Sequence, residues 1–422
     1  MNNGIKLRIK IYHVLLDVHK LSLTIDNSFI KNKVYSLDKR DIAFINNVSM
    51  NSMRYFFHTN KILDIYTKKR PGLNDRILIC SAITQIVFLD FKSYAVINST
   101  VEVAKKIKKF HGFFNAVLKK ISADKGKLKN INIEYSDLPL WFQKNTQNLT
   151  KFYKENFLNS FFHEPDLHIV FKNKKYLSSF KEDIFPTSES SGFFIKRKKI
   201  IDIPSFKKGN WWVQDFSSSF PLTCIENKII EKQSIDLCAA PGGKSFQIIS
   251  KGENIILNDK NKERIKLLEE NLKRLKYKAK IINNDVTSLN DKEKYNFIIL
   301  DAPCSAVGTI RKNPEIFFKS EEPKLNYLVE LQKKMLDKAA AITKKNGIIL
   351  YMVCSFLQIE TTNQIKNFLE RNSTFSTYKF SNNNKSLYYD NLIKDNLMFT
   401  LPTKISGYNI DGYFAVYLKR IK

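Results

Sequence analysis

Residues 234–245, Ser-Ile-Asp-Leu-Cys-Ala-Ala-Pro-Gly-Gly-Lys-Ser, constrain the fold more than any other part of the chain. A short apolar run, Ile235 and Leu237, carries Asp236 and breaks at Pro241-Gly242-Gly243. A helical apolar pattern then restarts at Phe246, Ile248 and Ile249. Strand, glycine turn and helix in that order present backbone N–H groups to a ligand beyond the carboxyl end of the strand. Two phosphate-binding signatures do not fit. Gly243-Lys244-Ser245 matches the end of a P-loop, but Cys238 stands where its first glycine belongs, and the dinucleotide pattern G-x-G-x-x-G is absent.

Downstream, strand-like and helical patterns alternate. Candidate strands cover residues 234–237, 254–258, 280–283, 295–300 and 347–353, with helices at 262–275 and 325–343. In the first helix Ile265, Leu268, Leu272 and Leu275 share a face, and Glu269–Lys273 and Glu270–Arg274 have pairing distance. Such alternation predicts a Rossmann-like, mainly parallel sheet with a crevice at the carboxyl ends of its strands. Residues 411–420 predict a late antiparallel strand at an edge.

The front of the chain reads differently. Ile97, Val101, Ala104 and Ile107, and again Phe114, Val117, Leu118 and Ile121, recur at helical spacing. An all-α domain is expected over 1–135, a small mixed α/β domain over 136–210, and the α/β domain over 211–422. The polar, lysine-rich stretch 122–130 reads as a hinge, Trp141 as a buried aromatic, and 196–199 as a basic surface.

Composition bounds the chemistry. Seventy Lys and Arg against 41 Asp and Glu leave a formal charge of +29, which favours a polyanionic partner and makes nucleic acid the first expectation. Five cysteines without a C-x-x-C pair fit neither a disulfide framework nor a zinc ribbon, so no metal is expected and a cytoplasmic setting is. No apolar run is long enough to span a membrane. All six histidines precede residue 169, leaving cysteines and acids to carry any chemistry in the second half.

Those groups cluster at strand ends. Asp259 closes the second strand, where an acid can accept from ribose hydroxyls or cap the next helix, although Asn261 can also cap it. Asp285 closes the third and suits either an adenine amino group or an Asx-turn. Asp301 closes the fourth, followed by Ala-Pro-Cys304-Ser305, and Cys354-Ser355 closes the fifth. Cys80 and Cys224 read as buried hydrophobes, whereas Cys304 and Cys354 face the predicted crevice. A thiolate is a soft nucleophile that can add to an electron-poor centre such as cytosine C6. The residues alone do not rank the two thiols. Arg311 and Lys312, after the fourth strand, suit either phosphate contact or a solvated loop.

Residues 236–244 (DLCAAPGGK), 301–305 (DAPCS) with 308–316 (GTIRKNPEI), and Val353-Cys354-Ser355 followed by Glu360 together resemble the Sun/Fmu family of RNA cytosine-C5 methyltransferases. Residues 115–120 and the helices before them are similar to a NusB-like RNA-binding domain, and Gly209 with Val213-Gln214-Asp215 to the segment preceding the catalytic core. The combination is similar to the bacterial RsmB type. The resemblance implies S-adenosylmethionine held by Cys238, Ala239, Ala240, Pro241, Gly242, Gly243 and Lys244, its ribose by Asp259 and its adenine by Asp285, with Asp301 between cofactor and base. It also implies 16S ribosomal RNA as partner, cytosine 967 as target, a monomeric enzyme, Cys354 as nucleophile toward C6, and Cys304 in product release. Alternatives left open are a catalytically weak RNA-binding factor and a transfer-RNA or DNA methyltransferase. One departure is Val353, where the family usually carries Thr.

Overall fold

The computed structural model describes residues 3–180, 182–196, 200–289, 295–382 and 386–422. The basic run at 196–199 lies, beyond Lys196, outside the described residues. Two compact units form, one from Met1–Phe162 with Ile310–Pro323, the other from His163–Thr309 with Lys324–Lys422. The stretch expected as a separate intermediate domain thus divides between them at residue 162.

The first unit is helical. Its main helices are Asn3–Leu21, Lys39–Arg54, Phe56–Tyr66, Leu73–Ile83, Ser93–Lys106 and His111–Ala123. Asp38 starts the second of these by accepting from Asp41 N at 2.8 Å, which satisfies one of the backbone donors left open at a helix start. Val14, Val18, Ile45, Val48, Ile79, Ile83, Leu118 and Ile121 fill the core. The expected hinge at 122–130 is not one. A short helix, Lys125–Leu128, follows His111–Ala123 directly, and Leu128 is buried against the same core. Arg311 also departs from expectation. It is fully buried in this unit, its Nε donating to Ser160 O at 3.0 Å while Arg54 Nη2 donates to Arg311 O at 2.9 Å. A guanidinium so enclosed holds the fold and is no phosphate contact.

The second unit holds a small antiparallel sheet of β1 (His168–Phe171), β2 (Ile184–Ser188), β3 (Ser191–Phe194) and β4 (Trp211–Val213), in the order β2-β3-β1-β4. Val170, Phe193 and Trp212 from it pack into the core of the larger sheet. That sheet contains β5 (Ser234–Asp236), β6 (Ile255–Asn258), β7 (Ile281–Ile282), β8 (Tyr295–Asp301), β9 (Thr343–Val353), β10 (Phe375–Tyr378), β11 (Ile393–Lys394) and β12 (Leu397–Thr400). A hairpin of β13 (Thr403–Ile405) and β14 (Tyr408–Ile410) intervenes before the last strand, β15 (Tyr413–Arg420).

The order is β11-β12-β15-β9-β8-β5-β6-β7, with β10 also on β15. From β7 to β9 the pairing is parallel; β15, β12, β11 and β10 add antiparallel strands, so the sheet is mixed. β15 is antiparallel as expected but interior, paired to β9 on one side and to β10 and β12 on the other. Ala415 and Tyr417 are as buried as Phe414, Val416 and Leu418. A strand apolar on both faces belongs inside a sheet. The chain leaves β5 toward β6 and later returns to place β8 on its other side, so β5 sits at the switch point where ligand crevices open in such sheets. Among the described residues no helix is long and apolar enough to cross a membrane.

Candidate active site

Asp236 ends β5 with its side chain buried. Its Oδ1 accepts from Cys238 N at 3.2 Å and its Oδ2 from Ser245 Oγ at 2.6 Å, tying both ends of the turn to the strand. Burial pushes its carboxyl up to about 6, against the pull of the Ser245 hydroxyl and Lys244. Within the turn Ala239 N donates to Asn258 O at 2.8 Å, Ala240 N to Asp259 Oδ2 at 3.2 Å, and Gly242 N to Ala239 O at 2.7 Å. Asn271 Nδ2 donates to Pro241 O at 3.2 Å. Gly242 has φ +112°, and a Cβ there would stand 2.0 Å from Phe246 Cζ, so the turn requires glycine twice over. Gly243 opens the helix Gly243–Ile249.

Asp259 follows β6 and is buried, accepting from Asn261 N at 2.9 Å as well as from Ala240 N, with Arg264 Nη1 3.6 Å away. Asn261 caps the helix Lys262–Leu275, accepting from Glu263 N and Arg264 N at 2.9 and 3.1 Å. Asp285 accepts from Lys260 Nζ and Thr287 Oγ1, each at 2.7 Å, and from Thr287 N at 2.9 Å, an Asx-turn geometry. The Lys260 ammonium and the Thr287 donors bring its carboxyl down to about 2.

Asp301 ends β8 with both oxygens engaged. Lys244 Nζ lies 2.7 Å from Oδ2, and the Tyr413 hydroxyl donates to Oδ1 at 2.7 Å. Burial pulls the Lys244 ammonium down, but Asp301 outweighs it and the pKa lies above its ordinary value. The same ammonium sits 5.6 Å from the centre of the Tyr413 ring. Cys304 and Cys354 approach to 3.4 Å between sulfurs and are half-buried. The hydrogen bond with Cys354, burial and the charges of Cys354 and then Glu360 hold the Cys304 thiol well above its usual range. Cys238 is also raised, chiefly by burial. Cys80 and Cys224 are buried as expected and pushed up to about 12 and about 11.

Backbone contacts fix the thiol loops. Gly308 N donates to Cys354 O at 3.1 Å, Gly412 N donates to Gly308 O at 2.8 Å, and a Cβ on Gly308 would stand 1.9 Å from Gly412 O. Val353 is fully buried in the apolar layer with Leu237, Leu300 and Leu336, where its methyl groups are at home.

Residues 225–419 match the family described as 16S rRNA methyltransferase RsmB/F, and residues 7–123 match the NusB family. Ribosomal RNA small subunit methyltransferase B of Photorhabdus laumondii is 30% identical over 318 residues, 70% of this chain and 73% of that protein. The chain belongs to the RsmB/F family of 16S rRNA methyltransferases. The Vibrio vulnificus methyltransferase B is 27% identical over 80% of this chain and 84% of its own length. In fold the chain is similar to the crystal structure of PH0851, with TM-score 0.70, 19% identity and 100% and 99% coverage. A Pyrococcus horikoshii NSun6 solved with SFG has TM-score 0.55 and 16% identity, covering 66% of this chain and 97% of that one. As an RsmB/F protein the chain is an RNA methyltransferase of the S-adenosylmethionine-dependent class.

Two groups at this candidate site carry no signal in the sequence. Tyr413 lies 112 positions from Asp301 and looks like any strand aromatic, its preceding Asp411-Gly412 turn being the nearest signal. Gln332 sits on a helix, where nothing marks its amide as bonded to Pro303 O at 2.9 Å and to Glu360 Oε1 at 3.1 Å.

Proposed function

We propose that this enzyme methylates C5 of a cytosine in 16S ribosomal RNA, cytosine 967 in the RsmB-type assignment, through a covalent adduct between Cys354 and C6. The pair of thiols 3.4 Å apart, with Asp301 at the end of the strand paired to β9, carries the reading. Addition at C6 and loss of the C5 proton need two groups close to one pyrimidine ring, and two neighbouring thiols meet that need.

S-adenosylmethionine would supply the methyl group as an electrophile. The residues present suit it. Residues 238–244 wrap the end of β5, and Asp259 and Asp285 stand at the next two strand ends with lone pairs left for ribose hydroxyls and the adenine amine. The target base must leave its stack to reach the thiols. Cys354 adds as thiolate to C6, Asp301 accepts from the exocyclic amine and so orients the base, and Lys244 and Tyr413 hold that carboxylate in place. After methyl transfer Cys304, having lost its own proton to water, takes the C5 proton as thiolate; the C5–H electrons re-form the C5–C6 double bond and the C6–S bond breaks, releasing Cys354 as thiolate. The positive charge of the chain favours the RNA, and a cytoplasmic monomer is the expected working form.

The test is methyl transfer from tritiated S-adenosylmethionine to unmodified 16S RNA, naked and in 30S particles, with the product analysed as 5-methylcytosine. Absence of 5-methylcytosine on both substrates overturns the proposal. In the variants, Cys304→Ala should accumulate a covalent RNA adduct and Cys354→Ala should form none. The opposite pattern reassigns the nucleophile to Cys304.

A further inference from the structure

Glu360 lies just beyond β9 with its whole side chain buried. Its Oε1 accepts from Ser305 N at 2.8 Å and from Gln332 Nε2 at 3.1 Å; its Oε2 accepts from Ser305 Oγ at 2.5 Å and Ser355 Oγ at 2.6 Å. Ser305 follows Cys304 directly, and Ser355 follows Cys354. Gln332 Nε2 also donates to Pro303 O at 2.9 Å, so the turn before Cys304 is gripped from both sides. The clamp is itself held. Tyr351 OH donates to Glu360 O at 2.9 Å, and Gln364 Nε2 donates to Gln332 Oε1 at 3.4 Å. Burying a carboxylate is costly unless its oxygens are satisfied. Donors from both cysteine loops satisfy this one, so the loops cannot separate without exposing that cost.

We infer that Glu360 is a positioning residue for methyl transfer, a buried carboxylate that clamps the Cys304 loop to the Cys354 loop and sets the separation of the two thiols. The inference rests on the proposed roles of those thiols. The clamp also bears on the Cys304 thiol: the hydrogen bond and charge of Cys354 and burial raise it most, and the Glu360 charge adds to them.

Glu360→Gln in the full chain keeps the side-chain volume and removes the charge. Three measurements are made on it: turnover on 16S RNA, affinity for S-adenosylhomocysteine by calorimetry, and iodoacetamide labelling of Cys304 against pH by peptide mass spectrometry. Turnover should fall about 100-fold, with the KM for RNA and the cofactor affinity within about threefold of wild type. The midpoint of Cys304 labelling should move to lower pH. Glu360→Asp retains the charge on a shorter stem, so it should restore the labelling midpoint and leave turnover low. Turnover of Glu360→Gln within about threefold of wild type, or an unmoved labelling midpoint, overturns the inference. Should Glu360→Gln fail to fold, Ser305→Ala and Ser355→Ala decide: each removes one hydroxyl donor and should slow turnover about tenfold, and full activity in both refutes the clamp. If the wild-type chain transfers no methyl to RNA, the reading of the reaction fails, while the labelling midpoint still decides the clamp.

Discussion

One oxygen of Asp301 faces an ammonium and the other a phenol, so its orientation depends on Lys244 and Tyr413 together. Tyr413→Phe keeps the ring beneath Lys244 and deletes only the hydroxyl. Turnover should fall about tenfold with cofactor affinity unchanged, read from steady-state kinetics and calorimetry. Asp236 gives a prediction of a different kind. Burial raises its folded-state pKa to about 6, above that of the unfolded chain, so the native state binds the extra proton between the two values. Its stabilising contribution is complete below the unfolded pKa and disappears as pH rises through about 6. Denaturant titrations should show Asp236→Asn removing roughly 3 kcal/mol of the stability lost by wild type between pH 4 and pH 7. A variant with an unchanged pH profile would return that dependence to other groups. These residue pairs were only half legible. Asp236, Asp259, Asp285 and Asp301 announce themselves as acids at strand ends, but Tyr413 and Gln332 reach the site by tertiary folding alone.

At the scale of elements, the contact between the Gly308 turn and the start of β15 links the Cys304 loop, the Cys354 loop and the segment carrying Tyr413. Gly308→Ala would drive a methyl group into Gly412 O, and nothing flexible is available to yield. Stability should fall by about 2 kcal/mol and turnover with it, measured by thermal unfolding and methyl transfer. Helices and parallel strands were legible because their apolar periods are strong: the helix Lys262–Leu275 has the expected bounds, with Ile265, Leu268, Leu272 and Leu275 buried. The Glu270–Arg274 pair expected on it yields to tertiary contacts, since Arg274 Nη1 donates to Phe206 O and Trp211 O at 3.2 and 3.0 Å. Polarity misled at 122–130, where lysines sit on the outer face of a helix that Leu128 anchors.

For the molecule as a whole, a net charge of +29 predicts RNA affinity that falls steeply with salt, checked as the slope of log Kd against log salt concentration. Arg311 should not contribute to that slope. Arg311→Gln should instead destabilise the helical unit by about 3 kcal/mol, because it breaks a buried cation's bonds; an altered slope with unaltered stability would restore the phosphate contact. The α and α/β classes, the glycine turn at β5, the acids and thiols at strand ends and the family were all readable from residue order, since each depends on local period or contiguous motif. Which side chains meet is set by folding. Residues 136–162 pack with the helical unit, β15 lies inside its sheet, Arg311 is core, and a buried Glu360 joins two loops 50 residues apart. Packing and hydrogen-bond satisfaction act between distant parts of a chain, and no local pattern encodes their outcome. The turn at 234–245 was readable because its geometry is local, whereas the chemistry it serves needed β8, β9 and β15 brought beside it.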